Sequence, residues 1–498
     1  MNKKYPSAAG VILLLLLAGG NFGSGLPPAA GSHQEADKLI ALLLDNSFRE
    51  AGKIADGILL SRPENPEIKA LCGLAVLKMG RVIEAEAIFR EVISHSPDNP
   101  EAHLGLGRIG RIRNDPGAAV RHLRRAVESK AFCEEALRQM WRAGLDRGLV
   151  SGLSEIAKLA EERFARDKKP LPGFIINGTA QLRGFTGKRL YHMEGRFERI
   201  SVPLVKLEDS AIRMISLRLN GKSEYPFDID SAATDFVTIS PLLAQELGLQ
   251  ETGSSSAVGV GSGSASVRFS RLDSVEVGSV TFRNIPVIVS DLFTFRGRKK
   301  GLVGTGFLKR FNCTIDVRAG IMGLFPLDRP DLMRAIINPA AVAAEVPLYI
   351  FDATTVEAFL AGAPKALYIL DSAAGTNLVD SAFFLEHLKP AIDPALIVPT
   401  NIVGAGGTQR VNRIEGLTVK LGSLVFDKQA AHEFSMGALN SITGRYCAGL
   451  LGNPLLWPYR VHLDFRSGKL ILEKYPESRY TDPKHAIFEE NRKGELTK

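Results

Sequence analysis

A chain of 498 residues that is 45% hydrophobic and 23% charged holds enough apolar material for three compact domains, each with its own core. Its formal charge of +8 comes from Lys and Arg interspersed with Asp and Glu, without an aromatic-basic RNA signature or zinc-finger spacing, so nucleic acid is excluded as a partner class. The four cysteines, Cys72, Cys133, Cys313 and Cys447, form no Cys-x-x-Cys pair, which excludes a metal site and a disulfide framework of the usual kind. They read as small buried hydrophobes, with Cys72 and Cys133 able to pair only if both face one helical seam.

At the N-terminus, Lys3 and Lys4 precede an apolar run from Ala8 to Ala18, followed by the small residues Gly19, Gly20 and Ser24. Charge, apolar run and small residues come in the order of a secretory signal peptide, assigned to residues 1–25. The run is shorter than the roughly 20 apolar residues of a membrane helix, and no cysteine follows it to accept a lipid. The expectation is an exported chain, periplasmic or secreted, with an uncleaved inner-membrane anchor as the lesser alternative.

Residues 35–168 read as amphipathic helices. Within them Pro63, Asn65, Pro66, Gly73, Ala85 and Phe89 recur 34 positions later as Pro97, Asn99, Pro100, Gly107, Ala119 and Leu123. Ala51 marks a partial unit before this pair and Ala136 a degenerate one after it. The spacing resembles tetratricopeptide repeats, in which small residues let paired helices approach and a proline-bearing turn closes each unit. That resemblance implies a concave surface for a protein partner; the alternative is a packing appendage to the domains that follow.

Past Lys168-Lys169-Pro170 the period changes from helical to alternating, and runs such as Arg213–Leu219 end in Asn220-Gly221, a hairpin signal. Residues 171–210 are expected to be a linker or extra strands. Beyond them a longer repeat appears. Phe227-Asp-Ile-Asp230-Ser-Ala-Ala233 returns as Tyr368-Ile-Leu-Asp371-Ser-Ala-Ala374. A glycine cluster follows each copy: Gly259, Gly261 and Gly263 in the first, Gly404, Gly406 and Gly407 in the second. Then come Val277-Gly278-Ser and Leu421-Gly422-Ser, Gly301-Leu-Val-Gly304 and Gly449-Leu-Leu-Gly452, and last Asp316 and Asp464, each 12 residues past that glycine. The two aspartates read as turn acceptors of a terminal hairpin.

Five landmarks in one order resemble the pepsin and retropepsin clan of aspartyl proteases, most closely the bacterial members with retropepsin-like lobes. The resemblance implies an α+β multidomain chain: the tetratricopeptide-like helical region, then two tandem all-β lobes at 211–327 and 346–475, and a tail at 476–498. It places the catalytic aspartates at Asp230 and Asp371, supporting hydroxyls at Ser231 and Ser372, supporting glycines at Gly304 and Gly452, and flap tips at the two glycine clusters. One departure stands out: the family's Asp-Thr/Ser-Gly is Asp-Ser-Ala here, at Ala232 and Ala373, and an added methyl needs backbone relaxation if φ is unfavourable.

The chemistry requires two copies. Two carboxylates held close cannot both ionise, so they share a proton; the ionised one activates a water while the other polarises the scissile carbonyl. The expected function is therefore an aspartic endopeptidase acting on a peptide or protein without metal or cofactor, and monomeric because one chain supplies both lobes. The alternative is a catalytically inactive peptide-binding module scaffolded by the helical repeat in the cell envelope. The glycine clusters are not phosphate loops, because Ala265–Phe269 after the first is strand-like rather than a helix start. No His-Glu-x-x-His and no Gly-x-Ser-x-Gly occurs, which removes zinc and serine hydrolysis.

Overall fold

The computed structural model describes residues 11–12, 16–18, 32–206, 212–258, 264–291, 301–404 and 407–476. Of the expected signal segment only Val11–Ile12 and Leu16–Ala18 lie among them, both as strands. The tail beyond Pro476 lies outside the described residues.

Eight helices run from Ser32–Leu44 to Val150–Arg166, and the second member of each pair begins at 48, 82, 116 and 150, a constant spacing of 34. The repeated residues set this spacing locally. Asn65 and Asn99 cap helices Pro66–Lys78 and Pro100–Ile112: Asn65 Oδ1 accepts from the Glu67 amide at 2.8 Å, and Asn99 Oδ1 from the Ala102 amide at 2.8 Å. Pro66 and Pro100 sit in the first turn, where a missing N–H costs nothing. The small residues let helices touch, and a Cβ added at Gly110 would stand 2.8 Å from the backbone nitrogen of Ala119 on the next helix. Ala51 and Ala136 are both fully buried. All four cysteines are buried and free, Cys72 and Cys133 included.

The stretch 171–210 opens with a ninth helix, Gly173–Gln181, which closes the helical region through buried Ile175 and through Gly178 beneath the Trp141 ring. Its strands are part of the β region: His192–Glu194 pairs with Val280–Ser290, and Ile200–Lys206 pairs with both Ile321–Pro326 and Arg213–Leu219.

The β region is organised about one six-stranded sheet in the order Ile200–Lys206, Ile321–Pro326, Phe311–Asp316, Tyr459–Asp464, Lys469–Lys474, Val342–Phe351. At its centre Cys313 faces Leu463, Thr314 faces His462 and Ile315 faces Val461. Exchanging each residue for its counterpart 148 positions away maps this register onto itself, with Thr314 Oγ1 and His462 Nδ1 2.8 Å apart at the midpoint. Asp316 and Asp464 then accept from the amides of Ala319 and Ser467, each at 2.8 Å, closing equivalent turns.

One apolar core runs continuously through both runs of strands, while a second joins the helices to Tyr349, Phe351, Leu367 and Phe434 of the later strands. No helix among the described residues is long and apolar enough to cross a membrane.

Candidate active site

Strand Glu224–Ile229 ends at Asp230, and strand Ala366–Leu370 ends at Asp371. Each is flanked in parallel by a short strand, Gly301–Val303 beside the first and Gly449–Leu451 beside the second. These flanking strands hold the aspartate backbones, with the Asp230 amide donating to Val303 O at 3.0 Å and the Asp371 amide to Leu451 O at 2.9 Å. The flanking strands end at Gly304 and Gly452. A side chain at Gly304 would stand 2.8 Å from the Ala233 carbonyl oxygen and strike that of Asp235; one at Gly452 would stand 2.7 Å from Ala374 O and strike Thr376 O. Close backbone approach is why glycine occupies both positions.

The two aspartate loops meet. Ser231 Oγ donates to Leu370 O at 2.7 Å and accepts from the Ser372 amide at 3.0 Å; Ser372 Oγ donates to Ile229 O at 2.7 Å and accepts from the Ser231 amide at 3.0 Å. Each serine thus bridges the other loop, immediately beside the other aspartate. Both carboxylates are fully buried. Asp230 Oδ1 accepts from the amides of Ala232 and Ala233, each at 2.9 Å, and Asp371 Oδ1 accepts from the Ala373 amide at 2.8 Å. The second oxygen of each, Oδ2, has no hydrogen-bond partner among the described residues. Burial, and then the neighbouring charge of Asp371, pushes Asp230 well above the ordinary carboxylate range; burial raises Asp371 as well.

The alanines that replace the expected glycines fit this turn. Neither Ala232 nor Ala373 has the left-handed backbone that would call for glycine, and both deliver the amide to the carboxylate. The methyl groups therefore remove no hydrogen bond from either aspartate.

Gly259, Gly261, Gly263 and Gly406 lie outside the described residues. Gly404 and Gly407 face each other at the end of the hairpin formed by Ile397–Gly404 and Gly407–Leu421, and Gly407 takes φ +102 to make the turn. The corresponding hairpin of the first run joins Gly253–Val258 to Ser264–Val277. Both hairpins carry a further strand on their outer partner: Val11–Ile12 runs parallel to Ile397–Gly404, and Leu16–Ala18 runs antiparallel to Gly253–Val258.

Two hydroxyls beside the paired aspartate loops escaped the sequence reading. Thr305 Oγ1 donates to Ser231 O at 2.9 Å, and its place directly after Gly304 was the available signal. Thr354, fully buried, donates to Ser231 O from its amide at 3.0 Å and from Oγ1 at 2.8 Å, with Leu370 O also 3.0 Å from Oγ1. No sequence signal marks it, because the equivalent position before Asp230 is Arg213.

No curated protein matches the chain. Residues 215–307, which hold Asp230, Ser231 and Gly304, match the family model described as aspartyl protease, so the match spans the first of the two aspartate loops.

Proposed function

We propose that the chain is an aspartic endopeptidase in which Asp230 and Asp371, one from each of two retropepsin-like lobes, share a proton and hydrolyse a peptide bond. The observation that carries this reading is the reciprocal Ser231–Ser372 bridge, which locks together two buried carboxylates that each keep one unpartnered oxygen. Like charges this close disfavour double ionisation, so one carboxyl holds a proton at neutral pH. The ionised aspartate takes a proton from water as that water's oxygen bonds to the scissile carbonyl carbon. The protonated aspartate hydrogen-bonds the carbonyl oxygen as charge develops on it. Collapse of the tetrahedral species breaks the C–N bond, and the amine leaves with a proton from the dyad. No metal or cofactor is needed.

The substrate class is an extended peptide. A single directed strand crossing two hairpins related by a twofold axis runs parallel to one and antiparallel to the other, which is the pattern that Val11–Ile12 and Leu16–Ala18 adopt on the two hairpins. The constant spacing of 34 between helix starts supports the tetratricopeptide type for the helical region, and with it a protein partner on that surface. The Lys3-Lys4 and leucine-rich segment supports export to the periplasm or beyond.

Incubating the purified protein with a mixed peptide library across pH 4–7, with and without a statine-type inhibitor, tests the reading. Inhibitor-sensitive cleavage lost in Asp230→Asn is the expected result. A protein that binds the inhibitor yet cleaves nothing would be a peptide-binding module instead.

A further inference from the structure

The helical region reaches the dyad through one buried carboxylate. Asp352 forms the whole reversal between strands Val342–Phe351 and Ala353–Leu360: Phe351 and Ala353 pair across it, and its φ of +73 lies in the left-handed region. Its Oδ1 accepts from Arg111 on helix Pro100–Ile112, and its Oδ2 from Arg142 on helix Cys133–Arg147. A third guanidinium, that of fully buried Arg445, donates to the carbonyl of neighbouring Phe351. Burial alone would raise the Asp352 carboxyl, but Arg111 and Arg142 outweigh it and hold the group well below the ordinary carboxylate range. Asp235, five residues past Asp230, belongs to the same cluster: burial pushes it up to about 7, with Arg142 pulling it down and Asp352 pushing it further up.

Two residues beyond Asp352 stands Thr354, whose amide and hydroxyl bond the carbonyl of Ser231 and whose hydroxyl also reaches that of Leu370. Ser231 directly follows Asp230 and Leu370 directly precedes Asp371, so this one side chain touches the flank of both aspartates. Strand register places a different side chain at the equivalent position of the first run. Thr355 pairs with Ile369, two before Asp371, and Met214 pairs with Asp228, two before Asp230, which makes Arg213 the counterpart of Thr354. The twofold relation of the loops is thus broken at the support next to the helical region.

We propose that the Arg111–Asp352–Arg142 clamp is a positioning device: by fixing the Asp352 turn it sets Thr354, and through Thr354 the helical region sets the spacing of the Asp230–Asp371 dyad. Asp352 and Thr354 are positioning residues, since neither touches a reacting atom. Their part in turnover rests on the endopeptidase reading, whereas their hold on the dyad does not.

The test therefore pairs a readout that needs no turnover with one that does. In full-length protein labelled with carbon-13 at aspartate Cγ, the dyad titration is followed by NMR, with Asp230→Asn and Asp371→Asn supplying the assignments. Thr354→Val, nearly isosteric but without the hydroxyl, and Asp352→Asn should each shift that titration by roughly half a pH unit or more and lower kcat about fivefold at unchanged KM. Thr354→Ser should restore both. Asp352→Asn combined with Arg142→Met should do little more harm than either alone, as expected of groups acting as a unit. A folded Thr354→Val and Asp352→Asn with wild-type titration and kcat, showing only a lower melting temperature, would overturn the clamp. A wild-type dyad that titrates as a coupled pair but cleaves nothing would instead sink the endopeptidase reading, and the titrations of the variants would still decide the clamp.

Discussion

Asp230 and Asp371 carry a stability cost that follows from their burial. An acid whose folded pKa is raised contributes full stability below its unfolded value near 4 and loses it as pH climbs toward the folded value. Both carboxyls are raised, so the wild type is penalised at neutral pH. On the proposed endopeptidase reading, Asp371→Asn is expected to abolish peptide cleavage; its burial alone predicts that the variant is more stable than the wild type at pH 7, by about 1 kcal/mol or more. That advantage should vanish as pH is lowered to about 4, where the unfolded acid is also protonated; urea titrations at the two pH values check it. Ala232 makes a contrasting case. Because its φ is not left-handed, Ala232→Gly gains no turn geometry and only frees the unfolded chain. It should lower stability by about 0.5–1 kcal/mol without raising turnover, measured by thermal unfolding and initial rates.

At the scale of elements, the helical repeat depends on how closely its helices approach. Gly110 on helix Pro100–Ile112 lies against the backbone of Ala119 on helix Pro116–Ala126, where neither partner is a flexible side chain that can move aside. Gly110→Ala is expected to cost about 1–3 kcal/mol despite the better helix propensity of alanine, because backbone must shift. Gly57, with open space around it, is the control: Gly57→Ala should be neutral to stabilising by up to about 1 kcal/mol in the same denaturation experiment. The β elements show the same logic at Gly304 and Gly452, where the aspartate loop rather than a helix occupies the room a side chain would need.

The whole molecule is joined by charge as well as by apolar surface. Lys78 and Arg108, from two repeat helices, both bond Glu135 and both point at the carbonyl of Gly444 in the later β run. Lys309 of the earlier run pairs with Asp146 at 2.6 Å. Burial would raise Glu135, but Lys78 and Arg108 hold it at about 2, while burial pulls Lys78 down to about 8. Glu135→Gln leaves two buried cations facing each other and should destabilise the protein by about 3–5 kcal/mol at pH 7. Glu135 contributes stability above its unfolded pKa and loses it as pH falls toward about 2, so the gap between wild type and variant should narrow below roughly pH 4. Denaturant midpoints across that range check the sign.

Local chemistry made much of this legible in the sequence. Asn65-Pro66 and Asn99-Pro100 are cap and first-turn residues whatever surrounds them, and Asp-Ser-Ala-Ala with a later glycine reports a turn and a close backbone approach that recur 141 and 148 positions on. The helix Gly173–Gln181 was missed because its short apolar run has no period of its own and gains helical form by closing against Trp141. What only the tertiary structure decided is which groups meet across distance. Ser231 and Ser372 lie 141 residues apart, Arg142 and Asp352 lie 210 apart, and Thr354 reaches Ser231 across 123. A hydrogen bond acts over about 3 Å and leaves no periodicity in the chain, so pairings of this kind exist only once the sheets and helices have packed.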